Sequence, residues 1–486
     1  MNLGVSAHPS SSVGPTEGPV SLNSSEDYVA RHVAFVSGHN GTQPWEVGLI
    51  SVIPPLSILL RNLAIPWLFP MKLFRGSCWD VWLKLVLDYA LSVLPLQLCL
   101  TVCANSVGHL VWTLIGLCGA LLFFCTCEYI YCDRPARSFL EIMDFSIAGS
   151  GSAGRLVSGG PPNDGLGSFL RTSPESLSGS RHLRYAHSSN SAFRPYLYLT
   201  YLRASANLLM ALAILAVDFQ IFPRRFAKTE QFGYGVMDVG VGFVVVMNAM
   251  VSMESRPPSL HSGTVTRRQR LANLPYSWLN SIPFLLLGIL RVIMVKSIGY
   301  QEHVTEYGVY WNFFFTLFFL KVITSLLNCL LPVRSVAWLL GLALAAFYQY
   351  ALHTFGWQDA YFGQEQFPDS RESLFLANRE GIISLFGYAS LYYVGVELGR
   401  RLLSARYNVR SFCKLWLQLL FWWLLFVMLT KLLDVYLTAP SRRMANVTYI
   451  VWVMSLVLLQ LLLFLAVELI ALIMAALNMP LYDVCK

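Results

Sequence analysis

Apolar residues in this chain gather into runs of about 20, the length an α-helix needs to cross roughly 30 Å of hydrocarbon at about 1.5 Å per residue. The runs centre near residues 58, 91, 118, 210, 245, 286, 320, 345, 388, 423 and 462, separated by short polar or basic stretches. This pattern predicts an all-α fold, a polytopic bundle of about eleven transmembrane helices. The first run is interrupted by Pro54, Pro55 and Arg61. The last, over 448–478, is long enough to tilt or to contain a break.

Two stretches fall outside the pattern. Residues 1–45 are polar, and residues 148–195 are rich in Gly and Ser around Pro161-Pro162. Neither buries enough apolar surface to offset the entropy of ordering, so both read as flexible segments, a tail and a linker. Residues 46–147 and 196–486 then form a single membrane domain.

Composition narrows the function. With 55% apolar and only 13% charged residues, against about 25% charged in soluble domains, the chain reads as an integral membrane protein. No cleavable leader precedes the first run, so that span is expected to direct insertion itself. The net charge of +8 reflects membrane topology, and no nucleic-acid partner is expected. The ten cysteines show neither a disulfide framework nor zinc spacing; Cys125-Thr126-Cys127 and Cys132 lack the paired elements of a metal site.

Basic loops and glycosylation acceptors give independent readings of sidedness, and they agree. Arginines crowd the segments 132–195, 254–275 and the loop near 400, placing all three in the cytosol. The acceptors Asn23, Asn40 and Asn446 fall on the other face. An odd number of spans puts the N-terminus in the lumen and the C-terminus in the cytosol.

One lumenal loop breaks the charge rule. Asp218 closes the fourth span, and Phe222-Pro223-Arg224-Arg225-Phe226-Ala227-Lys228 follows. An acid in or near hydrocarbon is expensive unless it has a use, and arginine forks suit phosphate. The bland alternative has Arg224 and Arg225 reaching lipid headgroups while Asp218 neutralises one of them. Pro223 ends the helix, so the chain can fold back and bring Asp218 to Lys228 as a general base and an oxyanion stabiliser. Asp238, before Gly240 and Gly242, either joins this site or caps its helix. In the next lumenal loop His303, Glu306 and Asn312, followed by aromatics, suit a hydroxyl-rich headgroup. Elsewhere, Lys84 with Asp88 and Lys431 with Asp434 have spacings for mutual neutralisation, while Arg291, Lys321, Glu397 and Glu468 show no evident local partner.

These motifs resemble the glucosaminyl-phosphatidylinositol acyltransferase family, which acylates inositol during assembly of glycosylphosphatidylinositol anchors. The family's Ala-Val-Asp and Phe-Pro-Arg-Arg-Phe-Ala-Lys stand at Ala216–Lys228, its Met-Asp-x-Gly-Val-Gly at Met237–Gly242, and its His-Val-Thr-Glu-Tyr-Gly-Val segment begins at His303. Tyr310 stands where the family commonly has histidine, and Gln220 replaces a common proline.

The resemblance implies about thirteen spans and a lumenal active site in the endoplasmic reticulum. It also implies transfer of a long acyl chain, usually palmitoyl, from acyl-CoA as co-substrate to the inositol 2-hydroxyl of glucosaminyl-phosphatidylinositol. Asp218 and Lys228 would be the catalytic pair, with no tightly bound cofactor, no metal and no covalent intermediate. Residues alone leave a second class open, a lipid or glycolipid transporter whose charges line a headgroup path.

Overall fold

The computed structural model describes residues 35, 38–68, 78–131, 139–145, 196–256, 267–272, 274–298, 304–331, 333–358, 371, 373–405 and 408–477. Of the expected tail 1–45 the described residues are 35 and 38–45, where Thr42 bonds Tyr234 and the first helix starts at Pro44; the linker 148–195, Asn23 and His303 lie outside the described residues. Among the described residues ten helices are long and apolar enough to cross a membrane. An eleventh, Val239–Met250, has 12 residues.

In chain order the helices are α1 (Pro44–Leu68), α2 (Cys78–Ser92), α3 (Leu94–Leu100), α4 (Val107–Tyr131), α5 (Phe139–Asp144), α6 (Leu197–Ala216), α7 (Val239–Met250), α8 (Arg267–Ala272), α9 (Leu274–Leu279), α10 (Ile282–Ile298), α11 (Val304–Tyr307), α12 (Phe313–Leu330), α13 (Val333–Thr354), α14 (Leu374–Ala377), α15 (Arg379–Leu403), α16 (Val409–Tyr436) and α17 (Val447–Ala476). Each of the eleven apolar runs lies on a helix. The prolines of the first run do not break it, and α17 is continuous.

The core is built on two helices. α17, apolar all round, is packed by α1, α6, α7, α15 and α16, as expected of a helix with no polar face. α15 is packed by α7, α12, α13 and α17. Gly395 and Gly399, one turn apart on α15, lie against Val246, Ala249 and Met250 of α7, and a side chain at either would collide with them. Small residues at this spacing let two membrane helices approach closely.

Charge follows the alternation that sidedness requires. At one end the segments before α1, after α3, between α6 and α7, and between α16 and α17 meet: Thr42 N donates to Tyr234 O (2.8 Å), Gly233 N to Pro440 O (2.9 Å) and Arg225 Nη2 to Ala104 O (2.9 Å). At the other end Tyr196 donates to Leu403 O (3.3 Å) and Ala405 O (3.2 Å), and Asn328 Nδ2 to Glu254 Oε1 (2.7 Å). The arginine-rich stretches around 256, 270 and 400 belong to this second end.

α7 therefore links the two ends with a helix of only about 18 Å. The rest of the path is non-helical, and Phe226, Ala227, Thr229, Tyr234, Val236 and Asp238 along it are buried. Irregular backbone at membrane depth is tolerated only where protein or a water-lined space surrounds it. The candidate chemistry lies on this stretch.

Intramembrane charges find partners beyond those expected. Asp88 bonds Arg61 of α1 at 2.8 Å. Asp434 accepts from the Tyr234 hydroxyl. Glu397, expected to lack a local partner, pairs with Arg400 (2.5 Å) and Arg401 (2.9 Å) on its own helix. Glu468 accepts from Tyr198 N at 3.0 Å, where a carboxylate complements the exposed N–H groups of α6's first turn.

Candidate active site

The loop 217–238 is tied down at both of its arginines. Arg224 Nη2 donates to Val217 O (2.8 Å), Phe219 O (2.9 Å) and Phe222 O (3.1 Å), closing the C-terminal end of α6, where a cation offsets the carbonyl dipoles. Its guanidinium lies 4.0 Å from the Phe35 ring centroid. Arg225 grips Glu46 of α1 through Nη2 (3.0 Å) and Nε (3.2 Å) and also reaches Ala104 O. Both arginines thus hold the loop in place, and Arg224 Nη1 is left without a hydrogen-bond partner among the described residues.

Lys228 does not turn to Asp218. Its Nζ lies 2.9 Å from Glu306 Oε1 and 3.1 Å from Oε2. Arg442 Nη1 is 3.0 Å from the same Glu306 oxygen, and Arg442 Nε is 3.0 Å from Asp238 Oδ1. Asp238 accepts further bonds from Thr229 N (3.2 Å) and Thr229 Oγ1 (2.9 Å). The result is a line of alternating charge, Asp238, Arg442, Glu306, Lys228. Arg442 and Asp238 are buried, at 4% and 1% side-chain exposure, and Lys228 opens outward at 45%.

The packing beneath explains the line's placement. Tyr449 of α17 donates to Asp238 O (2.9 Å), and Tyr388 of α15 donates to Arg442 O (3.1 Å). Gly387 lets Ala445 sit against α15. With Gly387 and Tyr388 eight and nine residues into α15, the Arg442 loop sits roughly 12 Å below that helix's start.

Electrostatics follow from burial and partners. Burial disfavours ionisation of Glu306, but the charges of Lys228 and Arg442, with a smaller contribution from Arg291, outweigh it and hold the carboxyl at about 2. Burial pushes the Asp238 carboxyl up, against Arg442 and Thr229. Arg442 is driven up as well: burial disfavours its charge, and Glu306, Tyr307 and Asp238 more than restore it.

The remaining expected site residues separate. Asp218 is exposed beyond the end of α6, and its charge acts on Arg224; the expected Asp218–Lys228 pair gives way to Lys228–Glu306, with a 3₁₀ turn over Arg224–Phe226 lying between Asp218 and Lys228. Asp238 contributes to the charge line and makes no side-chain cap on α7. Asn312 accepts from Phe314 N and Phe315 N and donates to Gly288 O, so it caps α12 and is buried at 4%. Asn446 likewise caps α17 and donates to Thr438 Oγ1 and Ala439 O, buried at 1%; that burial removes it as a glycan acceptor. Asn40 is exposed at the same end as Lys228.

Arg442 is the residue that sequence reasoning missed. A signal existed: Ser441-Arg442-Arg443 precedes the last span, on the face where Lys228 already breaks the charge rule.

The family model described as GWT1 matches residues 28–481. The chain is 33% identical over 425 residues to glucosaminyl-phosphatidylinositol-acyltransferase PIGW of Homo sapiens, covering 87% of this chain and 74% of that one. It is 32% identical over 424 residues to the protein of the same name from Bos taurus, with the same shares. To GPI-anchored wall transfer protein 1 of Aspergillus oryzae it is 32% identical over 459 residues, 91% and 81% of the two chains. With a match this long joined to a many-span helical fold, the chain belongs to the GWT1 family and is a membrane-embedded acyltransferase.

Proposed function

We propose that this acyltransferase moves a long acyl chain, palmitoyl being the expected one, from acyl-CoA to the inositol 2-hydroxyl of glucosaminyl-phosphatidylinositol, at the lumenal side of the endoplasmic reticulum membrane. The names of the relatives supply the lipid acceptor. The observation that carries the chemistry is the half-exposed Lys228 ammonium, held 2.9 Å from Glu306 and backed by buried Arg442 and Asp238. A charge fixed in advance stabilises negative charge that develops during reaction without reorganising.

In this reading the Asp218 carboxylate, on the same loop as Lys228 but not paired with it, takes the inositol hydroxyl proton as the oxygen attacks the thioester carbonyl carbon, so the two side chains must face one substrate without touching each other. Lys228 faces the resulting oxyanion. The C–S bond then breaks, the carbonyl re-forms as the ester, and the departing coenzyme A thiolate recovers the proton from Asp218. Glu306 aims Lys228 and takes no proton.

The test incubates purified protein with palmitoyl-CoA and glucosaminyl-phosphatidylinositol and weighs the lipid product. A product heavier by one acyl group is expected, and Asp218→Asn should slow its formation by about 10²-fold or more, within the range for general-base loss. Unchanged lipid mass would leave transport as the reading, and normal turnover in Asp218→Asn would remove Asp218 as the base.

Sidedness has its own check. The exposed Asn40 shares the Lys228 end, so a lumenal site predicts a glycan there. Glycosidase treatment should shift the mobility of the Asn23→Gln chain, which keeps Asn40, but not of the Asn23→Gln, Asn40→Gln double variant, given that Asn446 is buried.

A further inference from the structure

Arg224 and Arg225 already bond the loop and its neighbours, and both the lipid acceptor and coenzyme A carry phosphate, so a less occupied cation at this end is the one to examine. Two contacts and one charge effect locate a candidate on α10. Gly288 O accepts from Asn312 Nδ2 at 2.9 Å, fixing that turn of α10 beside the start of α12. Two turns on, Lys296 Nζ lies 4.9 Å from the centroid of the Tyr310 ring. Arg291 stands between these anchors, three residues past Gly288 and therefore on nearly the same helical face. The segment alongside it carries Glu306 and Tyr307, and Arg291 is close enough for its charge to act on both.

Arg291 differs from the other arginines at this end. Arg224, Arg225 and Arg442 each hold carbonyls or carboxylates at 2.8–3.0 Å. Arg291 makes no hydrogen bond or ion pair among the described residues and is exposed. A guanidinium within a span that satisfies no protein group is expensive unless it faces an interface or a ligand. Around it α10 is among the least buried spans, with Leu286, Leu287, Leu290, Ile293 and Met294 exposed. That side is open to lipid, the direction from which a glycolipid enters.

We propose that Arg291 binds a phosphate group of the substrate, presented from the lipid-facing side of α10 beside Glu306 and Lys228. Phosphodiester oxygens match the guanidinium fork, and the open apolar flank favours the phosphodiester of the lipid acceptor over the pyrophosphate of coenzyme A. The proposal rests on the acyltransferase reading above.

The test measures KM for each substrate in Arg291→Gln and Arg291→Lys, together with retention of phosphatidylinositol by the detergent-solubilised protein in native mass spectrometry, which needs no turnover. Arg291→Gln should raise KM for the glycolipid about tenfold or more, the loss typical of a charge-assisted bond, and leave kcat within about twofold. Arg291→Lys should recover part of that loss, because the charge returns without the fork. Phosphatidylinositol retention should fall in Arg291→Gln. A rise confined to KM for acyl-CoA would overturn the lipid assignment and place the coenzyme's phosphates there. Unchanged KM for both substrates with unchanged retention would overturn the site altogether. Failure of the acyltransferase reading would show separately, as wild-type protein that retains the lipid but forms no acylated product.

Discussion

Lys228→Ala is expected to lower the acyl-transfer rate by about 10²–10³-fold, the range found when one oxyanion-stabilising donor is removed, while the protein's melting temperature barely changes. The two halves of this expectation come from different parts of the charge line. Lys228 is 45% exposed, so its ion pair contributes at most about 1 kcal/mol to folding. Its loss does not strand Glu306, which keeps Arg442 at 3.0 Å. Activity is another matter, because Lys228 is the open end of the line. Lys228→Arg should recover little, since a planar fork cannot take the place of a point charge aimed by one carboxylate. The measurement is turnover alongside thermal unfolding in detergent. Near-normal turnover in Lys228→Ala would remove the lysine from the chemistry, and a large fall in melting temperature would make its role structural.

Arg442→Leu should do the reverse and damage the fold first. The guanidinium lies between Asp238 and Glu306 at 3.0 Å from each and is 4% exposed. Removing it strands a buried carboxylate, a change that typically destabilises by about 3–5 kcal/mol. Replacing buried ionic partners together is far milder than breaking the set. The triple variant Arg442→Leu, Asp238→Asn, Glu306→Gln should therefore regain much of the lost stability but not the activity, because Lys228 is no longer aimed. Thermal unfolding and turnover of the single and triple variants decide between this and simple loss of packing volume, which the triple would not repair.

The same carboxylate sets a pH signature. The folded Glu306 carboxyl lies at about 2, below its unfolded value of about 4.3. Its contribution to stability is therefore fully present above about pH 4.3 and is lost as pH falls toward 2. Any acid limb of activity above that window belongs to another group.

Much of this was legible along the chain. Eleven apolar runs gave eleven helices because hydropathy over about 20 residues is a local property that the bilayer reads directly. The run at 245 shows the limit of that signal. Its apolar content matched a full span, yet only 12 residues, Val239–Met250, are helical, and the buried non-helical stretch before Asp238 is sheltered by surrounding protein. The motif around Asp218 and Lys228 pointed to the family. Local spacing then misled: it paired Lys228 with the acid ten residues earlier. Glu397 is a different case, because Arg400 and Arg401 stand at the i+3 and i+4 positions where local spacing does show a pair.

The sequence by itself determined the membrane-spanning helical class, the alternation of charged ends and the family, because each rests on composition or on contiguous residues. Only the tertiary structure decided which charges meet. Glu306 is 78 residues from Lys228, and Arg442 is 204 from Asp238. A carboxylate takes whichever cation the packing of α7, α15 and α17 delivers within about 3 Å, and that selection leaves no periodic trace along the chain.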